Sequence, residues 1–376
     1  MTGIFCDYNA GAPALPEVLE EFVAVEQRFP ANPSSVHAAG RRARGELERA
    51  RQRIADALGL ASVDDVVFTS GGTESANTAV RGLGDPDLPV LLSEIEHPAV
   101  RAAAEQRGTT WWQDIDPTGR VRITEPEFVE SSLPLGLVCL AHAQSELGTL
   151  QPVAEAAGFA RRHRAPLLVD AAQTLGREPL QEIIACGAVV VLSPHKAGGL
   201  RGHGVLVGNE LQRQLKPLLH GGGQEYGLRP GTQSPALAAA NALAIERAVQ
   251  ETDARQLAMR ANRDAFLTAL VAAQCPHTVL TPLASSLPNT VMLCFERVDG
   301  RNLLPALDLA GVHASHGSAC SSGSPTPPRI LQVIGLDEER ARASVRFSFS
   351  FEETLQESTE IGTRVAALLA RLRQKI

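Results

Sequence analysis

The strongest constraint on what this chain can become is a recurrence between residues 66 and 208. A short apolar run stops at a polar or glycine-rich turn and gives way to a helical pattern: VVFTS before GGTESANTAVRGL, PVLLS before EHPAVRAAAEQ, LGLVCLAHA before VAEAAGFARRH, PLLVD before AAQTLG, AVVVLS before PHKAGG, and then GVLVG. An unbroken apolar run is how a strand reads when both of its faces are buried. Such strands alternating with helices form right-handed βαβ units in a mostly parallel sheet. The pattern predicts a large α/β domain over residues 13–250. Its last stretch, 234–250, is rich in Ala and Leu and reads as a long helix that carries the chain out of the domain. A smaller α+β domain is expected over 251–376, with strands in NTVMLCF, VHASH and ASVRFSF and helices over 302–309, over 328–334 and in VAALLARLRQ. Residues 1–12 are expected to fold back onto it or near the site.

Composition narrows the class. The 376 residues carry 35 Lys and Arg against 42 Asp and Glu, a net charge of −7, with 44% hydrophobic and 20% charged residues. Those proportions are globular and exclude a disordered chain, a coiled coil or a fibre. There is no basic excess and no Lys/Arg block, so no direct nucleic-acid or membrane partner is expected. The start, MTGIFCDYNAGAP, lacks the basic-then-apolar pattern of a leader, and no apolar run reaches bilayer length; a cytoplasmic location is expected. Six cysteines, Cys6, Cys139, Cys186, Cys275, Cys294 and Cys320, stand far apart with no CxxC pair, so neither disulfides nor a metal site are expected. Cys139, Cys186 and Cys294 sit in apolar runs and read as buried thiols. Cys320 differs, because HASHGSACSSGSPTPP is a loop of small residues, glycines and prolines, where a reactive thiol belongs.

In an open parallel sheet, ligands bind beyond the carboxyl ends of the strands. The residues that follow the apolar runs form one set: Gly71, Gly72 and Thr73; Glu96 and His97; His142 and Ser145; Asp170 and Gln173; Ser193, His195 and Lys196. Gly72 and Thr73 lie between a strand and a helix, where backbone N–H groups can cradle a phosphate, although a tight turn with an N-cap explains them equally well. Lys196 follows a buried strand beside His195, a setting that favours the neutral amine needed for Schiff-base chemistry, although a surface lysine at a strand end is the plainer reading. Asp170 ends the apolar PLLVD and needs a compensating partner, for which a protonated pyridine nitrogen would serve. Pyridoxal 5'-phosphate requires a Schiff-base lysine, a carboxylate at its ring nitrogen, a phosphate cradle and a group over the ring face. Lys196, Asp170, the Gly72-Thr73 turn and His97 can fill those roles in that order. Arg346, inside ASVRFSF, calls for a carboxylate to fork onto, either an internal Asp or Glu or the α-carboxylate of a substrate.

The segments CDYNAGAP, NPSSVHAAGR, FTSGGTESANTAV, EHPAV, HAQSELGTLQP, LLVDAAQTLG, SPHKAGG, HGGGQEYGLRPGT, LPNTVMLCF, SHGSACSSGS and SVRFSF follow one another along nearly the whole chain. In that order they resemble the cysteine desulfurases of the class V aminotransferase family, the group used in nitrogen fixation and iron–sulfur cluster assembly. The most specific pieces are SPHK, VDAAQ, GGGQEYGLRPGT and GSACSSGS. The resemblance implies the α/β fold of pyridoxal-phosphate-dependent transferases, similar to aspartate aminotransferase. It implies Lys196 as the covalent anchor of the cofactor, Asp170 at the pyridinium nitrogen, and Gln173 and Ser145 at the ring hydroxyl. Gly72, Thr73, Ser193 and His195 would hold the phosphate, and Thr232 would reach the phosphate of a neighbouring subunit, which implies a homodimer. His97 would stack on the ring, Asn32 and Arg346 would bind the carboxylate of the amino acid, and Cys320 would take its sulfur.

The implied reaction converts L-cysteine to L-alanine and leaves a persulfide on Cys320 for a sulfur acceptor, an iron–sulfur scaffold or another thiol carrier. Four positions depart from the family pattern: Ser145 stands for an Asn, Pro194 for a Gly, Leu200 for a Pro and Tyr226 for an Arg. The shorter Ser145 would reach the ring oxygen only through water. A selenocysteine lyase and a non-catalytic partner protein of the same fold are the alternative readings; Lys196 and Cys320 are both present, which speaks against the second.

Overall fold

The computed structural model describes residues 3–125, 134–317 and 327–374. After a short strand β1 (Ile4–Phe5), the large sheet is built from β2 (Val66–Thr69), β3 (Val90–Ser93), β4 (Thr110–Gln113), β5 (Leu137–Ala141), β6 (Leu167–Asp170), β7 (Val189–Leu192) and β8 (Gly204–Val207). Its order is β2-β8-β7-β6-β5-β3-β4, parallel throughout except that β8 runs antiparallel to both of its neighbours. Successive residues along these strands enter two different cores. Val66, Phe68, Val169, Val190 and Leu192 pack into one, whereas Val67, Leu168, Val189 and Val191 pack into the other. That two-sided burial is the physical origin of the unbroken apolar runs.

Every run expected to be a strand is one. The edge strand β4 escapes the pattern, since TWWQ is half-exposed and carries no continuous apolar stretch. The Ala-rich helix Pro235–Gln250 is capped by Ser234, whose hydroxyl accepts from the Leu237 N–H, and packs its small side chains against helices Ala38–Leu58 and Pro16–Arg28. Helix Thr252–Ala272 follows and packs against the terminal helix Leu355–Arg373, which opens with a capping box of Thr354 and Glu357.

A second, antiparallel sheet has the order β12-β10-β9, from β9 (His277–Val279), β10 (Thr290–Phe295) and β12 (Ser344–Ser348). Between them β11 (Val312–His313) pairs in parallel with β1, so the amino-terminal residues do fold back onto this part of the chain. The strand expected over VHASH is shorter than its motif, reduced to β11 and one bridge between Ser315 and Arg346. Cys6, Phe266, Phe295, Phe347, Phe349 and Leu369 form the core of this second body. No helix among the described residues is long and apolar enough to cross a membrane.

Candidate active site

At the carboxyl ends of β5, β6 and β7 lies a cavity of about 150 Å³. Gly72, Thr73, His97, Ser145, Asp170, Gln173, Ser193, His195, Lys196 and Arg346 all face it, together with Asn9 and Ala10 of the amino-terminal strap.

One end suits an anion. Helix Gly72–Gly82 begins after Gly71 with no side chain among the described residues capping its first turn, so its N–H groups are offered to the cavity. A Cβ on Gly72 would lie 2.4 Å from Ser193 Oγ, so the cradle exists only because residue 72 has no side chain. Glu74, in the same first turn, is turned away from the cradle: it accepts from the Ser70 N–H and pairs with Arg229 at 2.9 Å. His195 is held down to about 4 by burial and then by the charges of Lys196, Arg201 and Arg177, which makes it a neutral donor or acceptor at neutral pH.

The middle of the cavity carries the titratable pair expected there. Asp170 ends β6, and its Oδ1 accepts from the Ala172 N–H at 3.0 Å. His97 caps helix Pro98–Arg107 by accepting the Ala99 N–H on Nδ1 at 3.1 Å, which places the ring proton on Nε2. Burial lowers the His97 pKa against the pull of Asp170, with Lys196 adding to the lowering, so the ring is neutral. Beside it Glu96 is fully buried and pushed up to about 8 by burial, opposed by the Ser93 hydroxyl and reinforced by the charge of Asp170. Its Oε2 has no hydrogen-bond partner among the described residues.

The far end belongs to Arg346, 1% exposed on β12. Its Nη2 donates to Asp7 Oδ1 at 2.6 Å and its Nη1 to the Ser145 carbonyl at 2.9 Å. The internal carboxylate that a buried arginine calls for is therefore Asp7, and the guanidinium still borders the cavity. Ser145 donates its hydroxyl to Glu146 at 2.8 Å, while its carbonyl also accepts from Asn9 Nδ2 at 3.1 Å. Gln173 donates to the Asn9 carbonyl at 2.9 Å and accepts from Arg177.

Two expected site residues stand elsewhere. Asn32 is exposed and accepts from the Ser34 N–H through its own Oδ1, in a local turn away from the cavity. Thr232 is exposed beside a separate cavity of about 170 Å³ that also borders Ser70, His203 and Arg229. Cys320 lies outside the described residues. The chain that leads toward it is tied to the site, because Ser315 and Arg346 exchange both backbone hydrogen bonds, at 2.7 and 3.2 Å. On the far side of that segment Arg329 pairs with Glu94 at 2.7 Å.

His142, though placed at a strand end, does not line the cavity; it bonds Thr174 Oγ1 at 2.9 Å and burial holds it down to about 4. Asp7 and Asn9 were not among the expected site residues. Their signal was the motif CDYNAGAP and the expectation that the first dozen residues come near the site. Among the described residues no cluster of His, Cys, Asp or Glu could hold a metal ion, and Cys6, Cys139, Cys186, Cys275 and Cys294 are free thiols.

A mostly parallel sheet with a lysine, a carboxylate and a glycine-opened helix converging at its carboxyl edge defines a class, and the chain belongs to it: the class-V aminotransferase family, whose model matches residues 4–359. Within that family it stands with the cysteine desulfurases. It is similar to cysteine desulfurase IscS of Dictyoglomus turgidum, 32% identical over 94% of this chain and 91% of the relative. It is likewise 32% identical to cysteine desulfurase NifS of Azotobacter vinelandii, over 99% of this chain and 94% of that one. The solved structure of a NifS-like protein superposes with a TM-score of 0.88 at 28% identity, covering 99% of this chain and all of the other.

Proposed function

We propose that the protein is a pyridoxal-5'-phosphate-dependent cysteine desulfurase that converts L-cysteine to L-alanine and passes the sulfur, as a persulfide on Cys320, to an acceptor protein. The observation that carries this reading is the single cavity in which Lys196, Asp170, His97 and an uncapped helix N-terminus meet. These residues fit the cofactor: the cradle at Gly72, Thr73, Ser193 and His195 suits its phosphate, and Asp170 suits its ring nitrogen. When bound, the cofactor supplies an electrophilic carbonyl and an electron sink.

The residues of the chain do the rest. Lys196 anchors the cofactor and moves the proton at the substrate Cα. Asp170, oriented by the Ala172 N–H, keeps the ring nitrogen protonated. His97, neutral with its proton on Nε2, would face the ring without adding charge. Gln173 has one amide hydrogen committed to the Asn9 carbonyl and the other available for the ring oxygen, with Ser145 beside it. Arg346, which borders the cavity, would bind the carboxylate of the amino acid, and Asn32 is the second residue proposed for it. Cys320 removes the sulfur.

The reading takes 13–250 as the cofactor-binding domain and 1–12 with 251–376 as the domain that carries Cys320. It takes the working form as a cytoplasmic homodimer in which Thr232, exposed and outside its own cavity, serves the neighbouring subunit. The acceptor is an iron–sulfur scaffold or another thiol carrier.

The test is alanine formation from L-cysteine by purified protein supplied with pyridoxal phosphate and a reductant, comparing wild type with Cys320→Ala. Alanine that depends on Cys320 is the expected result. Alanine formed at the wild-type rate by Cys320→Ala would overturn the assignment of the sulfur-accepting thiol, and none from either protein would overturn the substrate.

A further inference from the structure

Five arginines are buried among the described residues: Arg51, Arg177, Arg255, Arg263 and Arg346. Four of them meet a carboxylate: Arg51 meets Glu225 at 2.9 Å, Arg255 meets Glu251 at 2.9 Å, Arg263 meets Asp264 at 2.9 Å and Arg346 meets Asp7 at 2.6 Å. Arg177, 2% exposed, meets none among the described residues. Its hydrogen bonds all go to neutral oxygens. Nη2 donates to the carbonyls of Tyr8 at 2.8 Å and Lys196 at 3.2 Å, and Nη1 to the carbonyl of Gln173 at 3.3 Å and to Gln173 Oε1.

A buried guanidinium without an anion is costly, and carbonyl dipoles offset only part of that cost. Burial and the neighbouring Arg346 push Arg177 down to about 9, so it remains a cation at neutral pH. Its position explains what it does there. Arg177 does not itself line the cavity, but two of its three backbone or side-chain partners, Gln173 and Lys196, do, and its charge also acts on His195 at the anion-binding end.

Resting on the proposed function, we propose that Arg177 is a positioning residue of the active site. It ties the Lys196 backbone to Tyr8 of the amino-terminal strap and to Gln173, and its unpaired positive charge draws an organic phosphate into the cavity. The missing counter-charge arrives with the ligand, which is why the described residues supply none.

The experiment uses full-length protein freed of cofactor, as wild type, Arg177→Met and Arg177→Lys, each titrated with pyridoxal 5'-phosphate and with pyridoxal, which lacks the phosphate. Covalent linkage by Lys196 is followed by visible absorbance and folding by thermal unfolding. Loss of a charge-assisted interaction in Arg177→Met should weaken pyridoxal phosphate about tenfold or more and pyridoxal less than about threefold. Arg177→Lys keeps the charge but cannot span four acceptors. It should restore the preference for the phosphate while linkage by Lys196 stays slower than in wild type.

A folded Arg177→Met with wild-type affinity for pyridoxal phosphate would overturn the inference. Should Arg177→Met fail to fold, Arg177→Lys decides: a retained phosphate preference with slowed linkage supports the role, and a lost preference or an unchanged linkage rate overturns it. A wild-type protein that binds no pyridoxal phosphate would overturn the proposed function itself, and this inference with it.

Discussion

The two walls of the cavity are built in different ways. On the side of the large sheet, Asp170 ends β6, Ser193 follows β7 and Gly72 opens the helix after β2, so each site residue lies within a few positions of a strand buried on both faces. The opposite wall is assembled at long range. Arg346 meets Asp7 across 339 positions of sequence and the Ser145 carbonyl across 201, and Asn9 reaches the same carbonyl across 136. The first wall exists once the sheet has formed. The second exists only when the amino-terminal strap and the smaller body are docked against it, so it is the wall whose local stability a substrate or a mutation can change without unfolding the sheet.

That contrast can be broken at its strongest point first. Lys196→Ala, on the sheet-built wall, should lower alanine formation by at least about a thousandfold and remove the visible absorbance of the loaded enzyme while leaving the thermal midpoint nearly unchanged. A midpoint that drops steeply would mean the lysine holds structure as well as chemistry.

Arg346→Ala attacks the assembled wall. It should cost about 3 kcal/mol in denaturant unfolding because it strands Asp7, and raise the KM for L-cysteine about tenfold or more. An unchanged KM would remove Arg346 from substrate binding and leave it as the strap's anchor alone. Unlike Lys196→Ala, this variant should lose stability and binding together.

Gly72→Ala sharpens the comparison within the sheet-built wall, since the new methyl would lie 2.4 Å from Ser193 Oγ and must displace it. The dissociation constant of pyridoxal phosphate should rise about tenfold with a shift of only a few degrees in the thermal midpoint. Equal affinity in the two proteins would place the phosphate elsewhere.

The smallest effect is a pH dependence. Burial raises Glu96 from 4.5 to about 8, so the folded protein holds a proton there that the unfolded chain releases. Its contribution to stability is whole below about 4.5 and is lost as the pH rises through about 8. Glu353, raised to about 8 chiefly by burial, acts in the same direction. Glu96→Gln should therefore make the decline in unfolding midpoint between acidic and mildly alkaline pH shallower without abolishing it. A decline as steep as in wild type would show that Glu96 is already ionised when folded.

Much of the sheet-built wall is legible in the sequence, because a strand buried on both faces must be apolar along its length and the first polar residue after it marks the carboxyl edge of the sheet. Asp170, Lys196, His97, Ser193 and the Gly72-Thr73 turn all emerge from that rule. It also over-reaches: His142 obeys it yet turns to Thr174 instead of the cavity. The edge strand β4 and the short β9 were missed, since a strand that is half-exposed or three residues long carries no period to read. Of Arg346 the chain alone said only that a carboxylate must be near; that it is Asp7 came from the docking of the strap.

By itself, then, the amino-acid sequence determined the alternation of buried strands and helices over residues 66–208, most of the residues at the carboxyl edge of the sheet and the family to which those motifs belong, because burial on two faces and turn chemistry are local properties written in consecutive residues. Only the tertiary structure decided which charges are paired. Arg346 found Asp7 and, among the described residues, Arg177 found nothing but carbonyl oxygens, an outcome set by where distant segments come to rest, since the energy of a buried charge depends on its neighbours in space and hardly at all on its neighbours in the chain.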